Sequence, residues 1–163
     1  MRVISVEEHS SPNVSIQVWY NVGGKDDPTG RAGFAHLFEH LLFKKTRNLP
    51  DEAMDRFTED IGGENNAYTT NDLTVYHEVV PSNHLERILW AEAERMVNLD
   101  VDEANFRSER DVVKEEYRQG VLAQPYGRFD DSFDKAAWTV HPYKFGVIGD
   151  IGKLNAGSLT DVI

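Results

Sequence analysis

The sequence predicts an α+β domain, one antiparallel or mixed sheet with helices packed against it. Three observations lead there. Apolar and polar residues alternate in residues 13–22 and 73–80, the period of a half-buried strand. Apolar residues recur instead at helical spacing in residues 34–43, 51–61, 82–98 and 101–121. Stretches rich in glycine and proline, at residues 23–30, 48–50 and 62–63, separate these segments. A chain of 163 residues that is 40% hydrophobic and 28% charged has the size and composition of one globular domain, residues 1–163, and it shows no internal repeat or linker.

Residues 3–8 and 13–22 read as strands, the second with Val14, Ile16, Val18, Tyr20 and Val22 on one side. The turn-like Glu8-His9-Ser10-Ser11-Pro12 would join them as a hairpin, with His9 exposed in the turn. After the glycine-rich loop comes a helix over 34–43, and then a shorter one over 51–61 with Met54, Phe57 and Ile61 on one side, stopped by Gly62-Gly63. The polar run of residues 64–72 leads into a strand over 73–80, in which Leu73, Val75, His77 and Val79 alternate and Pro81 closes the element. Little side-chain bulk at Asn66 and Ala67 leaves an edge that could accept an extended peptide by backbone pairing; an edge protected by its polarity is an equal reading. Residues 82–98 form a helix capped by Ser82, with Leu85, Ile88, Leu89 and Met96 along its stripe.

The helix over 34–43 has two chemically distinct faces. At about 100° per residue, His36, Glu39, His40 and Phe43 share one side, and Phe34, Leu37, Phe38, Leu41 and Leu42 the other. Imidazoles at i and i+4 stand one turn apart and can converge on one ion, while Glu39 points beside that ion, where a general base belongs. His-x-x-Glu-His is the inverted form of the zinc-peptidase helix. The same spacing also fits the solvated face of an ordinary amphipathic helix.

A second helix supplies further carboxylates. Along residues 101–121, Phe106, Val112, Val113, Glu116 and Gly120 fall within about 60° of Glu109, whereas Glu115 lies on the polar side with Asp111, Lys114 and Arg118. A carboxylate on an apolar face needs a metal, a histidine or a cation to offset its desolvation, and this nominates Glu116 as a ligand with Glu109 on the same face. Burial against Arg or His is the structural alternative. Residues 127–139 carry a mixed helical pattern, and His141-Pro142-Tyr143 opens a loop in which His141 is structural, as His77 is in its strand. Ser158 with Asp161 three positions on resembles a capping box opening a last helix, so Ile163 falls within its first turn and the domain is expected to be cut short at its C-terminal end.

Composition excludes several classes. A net charge of −11 without a basic patch argues against nucleic acid and anionic membranes. No apolar run is long enough to span a bilayer, and residues 1–8 lack the apolar core of a signal peptide. With no cysteine, a transition-metal site must be built from His, Asp and Glu, and the compartment is left undetermined.

Taken together, these motifs resemble the inverted-motif zinc metallopeptidases of the pitrilysin and insulinase type, which include the mitochondrial processing peptidase and its bacterial relatives. The resemblance rests on Arg2-Val3-Ile4, Val18-Trp19-Tyr20-Asn21-Val22-Gly23, Gly33-Phe34-Ala35-His36-Leu37-Phe38-Glu39-His40, Gly62-Gly63 through Asn66-Ala67 to Thr69, Asp72 with Tyr76, Glu109 through Glu116, and His141-Pro142-Tyr143. It implies a mostly antiparallel sheet with helices on one face. It implies one zinc ion, Zn2+, on His36, His40 and Glu116, with Glu39 as general base, Glu109 supporting the site from behind, and Asn66 and Ala67 pairing with the substrate backbone. It further implies a zinc endopeptidase acting on extended peptides, with a second homologous half or subunit needed for full activity. Nothing in this chain matches that second half. A noncatalytic, peptide-binding subunit and a nonpeptidase hydrolase using the same metal site are the competing classes.

Overall fold

The computed structural model describes residues 1–149 and 151–161. Its centre is a three-stranded antiparallel sheet of β1 (Asn13–Tyr20), β2 (Glu64–Thr69) and β3 (Thr74–Pro81) in the order β1-β3-β2. The register sets Val18 opposite Tyr76 and Ala67 opposite Tyr76 on the other side, so Tyr76 stands at the middle of the sheet. Among the described residues six α-helices follow the chain: α1 (Phe34–Leu41), α2 (Ala53–Glu59), α3 (Leu85–Asn98), α4 (Glu103–Tyr117), α5 (Phe129–Ala137) and α6 (Ile151–Ala156). The α+β expectation holds.

Helices cover one face of the sheet. Ile16 and Val80 pack against Ile88 of α3, with Phe57 of α2 alongside. On β3 the covered face carries Tyr76, Glu78 and Val80, not the apolar alternation of Val75, His77 and Val79; both faces of the strand carry large apolar residues, so polarity alone does not reveal the inner one. A separate core joins α1 to α4 through Phe34, Leu37, Leu41, Phe106, Val113 and Leu154. Burying Leu37 and Leu41 completely contributes about 2–3 kcal/mol each before entropy is counted, which ties the two site-bearing helices together.

The start of α1 is fixed from outside the helix. Asp27 accepts from the amides of Gly33 at 2.6 Å and Ala35 at 2.8 Å, satisfying donors that a helix leaves open. Gly33 has φ of 100°, and a Cβ there would lie 2.3 Å from the carbonyl oxygen of Ile148, so the loop ending in Gly149 presses directly on the helix entry.

Several expectations change. Residues 3–8 are not a strand: Val3, Ile4 and Val6 are exposed, because no strand among the described residues lies alongside them and their apolar alternation has nothing to bury it. The polar run holds a strand of its own, β2, paired with β3 through a turn at Thr70–Leu73. Ser82 opens a 3-10 turn (Ser82–His84) instead of capping α3, while Asp102 caps α4 by accepting from the amide of Asn105. The glycine-punctuated stretch after Gly149 contains α6, and the last predicted helix is a 3-10 turn, Leu159–Asp161, with residues 162–163 outside the described residues. Among the described residues no helix is long and apolar enough to cross a membrane.

Candidate metal centre

The two site-bearing helices bring their polar faces together above the α1–α4 core. His36 Nε2 lies 3.7 Å and His40 Nε2 3.5 Å from Glu116 Oε2. These three donors fall within 4.8 Å of one another and form the only such group among the described residues. Donors bound about 2.0–2.2 Å from a tetrahedral ion are separated by about 3.3–3.5 Å, so the nitrogen, nitrogen and oxygen atoms fit zinc in type, and the two distances to Glu116 lie close to that separation.

Behind the pair of imidazoles sits Glu109. Its Oε2 is 3.4 Å from His40 Nδ1, and its Oε1 is 2.8 Å from Lys44 Nζ. This contact orients His40 by the ring nitrogen that faces away from Glu116, the arrangement that fixes the tautomer of a metal-binding histidine. Glu109 is buried, as an apolar-face carboxylate was expected to be. Glu116 is on the same face but 43% exposed, because it lines the cleft instead of the core, and Val112 is exposed too. The desolvation reasoning therefore applies to Glu109, and Glu116 is placed by angle alone.

Glu39 turns into the same cleft and is itself buried. Its Oε2 accepts a hydrogen bond from Thr69 Oγ1 at the end of β2. The cleft, about 460 Å³, is walled by Asn66, Ala67, Tyr68 and Thr69 of β2, by Phe43, and by Val147 and Ile148 of the loop pressing on α1. On the outer edge of β2, away from β3, the described residues place no further strand.

Burial and neighbouring charge tune the group. Burial pushes the His36 imidazole down to about 4, with the positive charge of His40 adding to it, so His36 offers a free lone pair at neutral pH. Burial acts the same way on His40, but the bond to Glu109 and the charge of Glu116 outweigh it and raise its pKa. Burial raises the Glu39 carboxyl, against the bond from Thr69. Glu109 is also desolvated, yet His40 and Lys44 together hold it below the usual range.

The sequence reading had named every acidic and imidazole group in this cluster, and the structure brings all five together, with Asn66 and Ala67 on the wall. It had given no role to Thr69, Lys44, Val147, Ile148 or Asp27. Thr69 belonged to a polar run with no pattern of its own, and nothing local signals that the loop around Ile148 returns to the start of α1.

Comparison with known proteins decides the family. The model of the insulinase family, Peptidase family M16, matches residues 2–150. The chain belongs to that family. It is 34% identical over 163 residues to the zinc protease PqqE of Helicobacter pylori, covering 99% of this chain and 37% of that protein. It is 32% identical over 130 residues to subunit 1 of the rat mitochondrial cytochrome b-c1 complex, covering 80% of this chain and 27% of the relative. The crystal structure of a protease from Helicobacter pylori superposes with a TM-score of 0.89 at 34% identity, covering 93% of this chain and 37% of that one. The periplasmic protease PqqL of Escherichia coli shares the fold, with a TM-score of 0.82 at 20% identity over 93% of this chain and 17% of its own. This insulinase-family chain thus spans little more than a third of the length of the Helicobacter protease.

Proposed function

We propose that the chain is the zinc-binding catalytic domain of an endopeptidase that cleaves extended peptides. The convergence of His36 Nε2, His40 Nε2 and Glu116 Oε2, with the buried carboxylate of Glu39 beside them, carries the reading. His36, His40 and Glu116 would hold the ion, and Glu109 and Lys44 would keep His40 aimed at it. Bound there, zinc would supply a concentrated positive charge that acidifies water and polarises a carbonyl.

The rest is done by the chain's own groups. Glu39, its carboxyl oriented by Thr69 and made a stronger base by burial, takes the proton of the attacking water and then gives it to the leaving amine. The substrate lies along the outer edge of β2 in an extended conformation, so that its backbone pairs at Asn66 and Ala67. The Ala67 amide is bonded to Asn66 Oδ1 at 2.8 Å, an acceptor that a substrate carbonyl can replace. A second homologous half or subunit closes the cleft; the one-third share of the Helicobacter protease and the rat relative's place in a multisubunit complex support this.

The test is Glu39→Gln in the protease assembled with its second half. Zinc content after dialysis should match the parent, and turnover of unfolded peptides should fall by about 10²–10⁴. The rat relative is named as a subunit of a complex and not as a protease, which supports a second reading, a noncatalytic peptide-binding or partner subunit. A Glu39→Gln protein as fast as its parent would remove Glu39 as the base, and a parent that binds peptides without cleaving them would select the second reading.

A further inference from the structure

The last turn of α1 carries Glu39 and His40, and it ends irregularly. The amides of Leu42, Phe43 and Lys44 go to the carbonyls of Phe38, His40 and Leu41, passing over the carbonyl of Glu39. A helix leaves its final carbonyls without intrahelical partners, and inside a protein each needs another donor. For Glu39 that donor is the hydroxyl of Tyr76, 3.3 Å away, reaching up from the middle of the sheet.

Tyr76 is held too firmly for this to be an incidental contact. It is 1% exposed. The guanidinium of Arg95 lies over its ring at 4.2 Å, Tyr20 meets it edge-on at 5.6 Å, and Phe43, which walls the cleft, tilts against it at 5.7 Å. Arg95 cannot swing away, because Glu92 binds Nε at 2.9 Å and Glu78 binds Nη2 at 3.2 Å, all three groups being sealed from solvent. A chain of contacts therefore runs from the ion triplet of α3 and β3, through an aromatic ring, to the backbone atom of the residue proposed as the base.

We propose that Tyr76, clamped by Arg95, is a positioning residue that caps the Glu39 carbonyl and so fixes the last turn of α1, setting where Glu39 and His40 point. Its catalytic meaning rests on Glu39 being the base, but the cap itself does not. The hydroxyl provides direction at the cost of no charge, since burial keeps the phenol protonated.

Tyr76→Phe removes only the hydroxyl and leaves the ring under Arg95. Tyr20→Phe is the matched control: the Tyr20 hydroxyl is also buried, in the same layer, and has no hydrogen-bond partner. Hydrogen exchange of the amides of residues 42–44 in the zinc-loaded chain should speed up about fivefold in Tyr76→Phe, the loss of one net hydrogen bond, and stay at the parent rate in Tyr20→Phe. Zinc affinity, read by competition with a chelator, should weaken in Tyr76→Phe alone. In the assembled protease kcat should fall at unchanged KM. Arg95→Lys keeps the charge, loses the flat stack, and should move exchange the same way. Unchanged exchange and zinc affinity in Tyr76→Phe, or equal changes in Tyr20→Phe, would overturn the proposal. Faster exchange with no effect on kcat would keep the cap and remove its link to catalysis, whereas failure of Glu39→Gln to reduce turnover would remove the base and leave the exchange result standing.

Discussion

Two clusters of charge, linked through Tyr76 and the backbone of Glu39, are completed differently. Glu78, Glu92 and Arg95 are at most 3% exposed, and the two carboxylates answer one guanidinium inside the protein. His36, His40 and Glu116 open onto a cleft, with Glu116 43% exposed and the three donor groups within 4.8 Å of one another. The sealed cluster spends its charge on holding the fold. On the proposed reading, the open one keeps its lone pairs for a metal ion. The difference teaches that a group of ionisable residues declares its purpose by what completes it, and each cluster can be broken separately to test that.

The largest effect should come from the sealed side. Arg95→Met leaves two carboxylates buried without their cation, which costs about 3–5 kcal/mol, whereas opening the other cluster with Glu116→Gln should stay within about 0.5 kcal/mol in chelator-treated protein. Urea denaturation measures both. Equal losses would mean that the clusters are not distinct in kind.

The two sides also carry opposite pH signatures. His36 is held neutral down to about 4 against an ordinary 6.5, so below pH 6.5 the unfolded chain takes up a proton that the folded chain refuses. Stability from this group is complete above 6.5 and falls by up to about 3 kcal/mol as pH drops toward 4. Glu109, held low mainly against its own burial by His40 and Lys44, adds to that acid loss, while the raised His40 works against it. Glu78 runs the other way. Burial and the neighbouring Glu92 raise it from 4.5, so the folded chain keeps a proton that the unfolded chain sheds, and its contribution is full below 4.5 and lost as pH climbs. Urea midpoints across pH, in the presence of chelator, should show an acid limb flattened by His36→Gln and an alkaline limb flattened by Glu78→Gln. If each variant flattened the other limb, the assignment of the clusters would be reversed.

These two clusters were unequally legible in the sequence. His36, Glu39, His40, Glu109 and Glu116 could be read because helical periodicity converts spacing into direction, and α1 and α4 are regular over that length. Glu78, Glu92 and Arg95 could not, since their meeting depends on the crossing of α3 over β3, and a polar residue at an inner strand position breaks the alternation that strand reading relies on. For the same reason β2, five small or polar residues and one tyrosine, went unseen as a strand, although Asn66 and Ala67 had been marked as an edge. Residues 3–8 failed in the opposite sense: their alternation is genuine, but a strand exists only when another strand pairs with it.

The finest division lies between two adjacent residues. Glu115 and Glu116 differ by one helical step, and both are about half exposed. Glu115 turns outward to Arg118 at 3.1 Å and to Gln119 at 2.9 Å, contacts that solvent screens, so Glu115→Gln should change stability by less than about 0.5 kcal/mol and leave zinc affinity at the parent value. Glu116 has no such partner on its own helix and faces both imidazoles, so Glu116→Gln should weaken zinc binding at least about tenfold, the order found when even a supporting contact of a metal site is lost. Competition against a chelator of known affinity reads both. Equal weakening in the two variants would mean that the cleft attracts the ion through its overall negative charge; loss confined to Glu116→Gln would mean that one carboxylate, turned one step further around the helix, makes the bond.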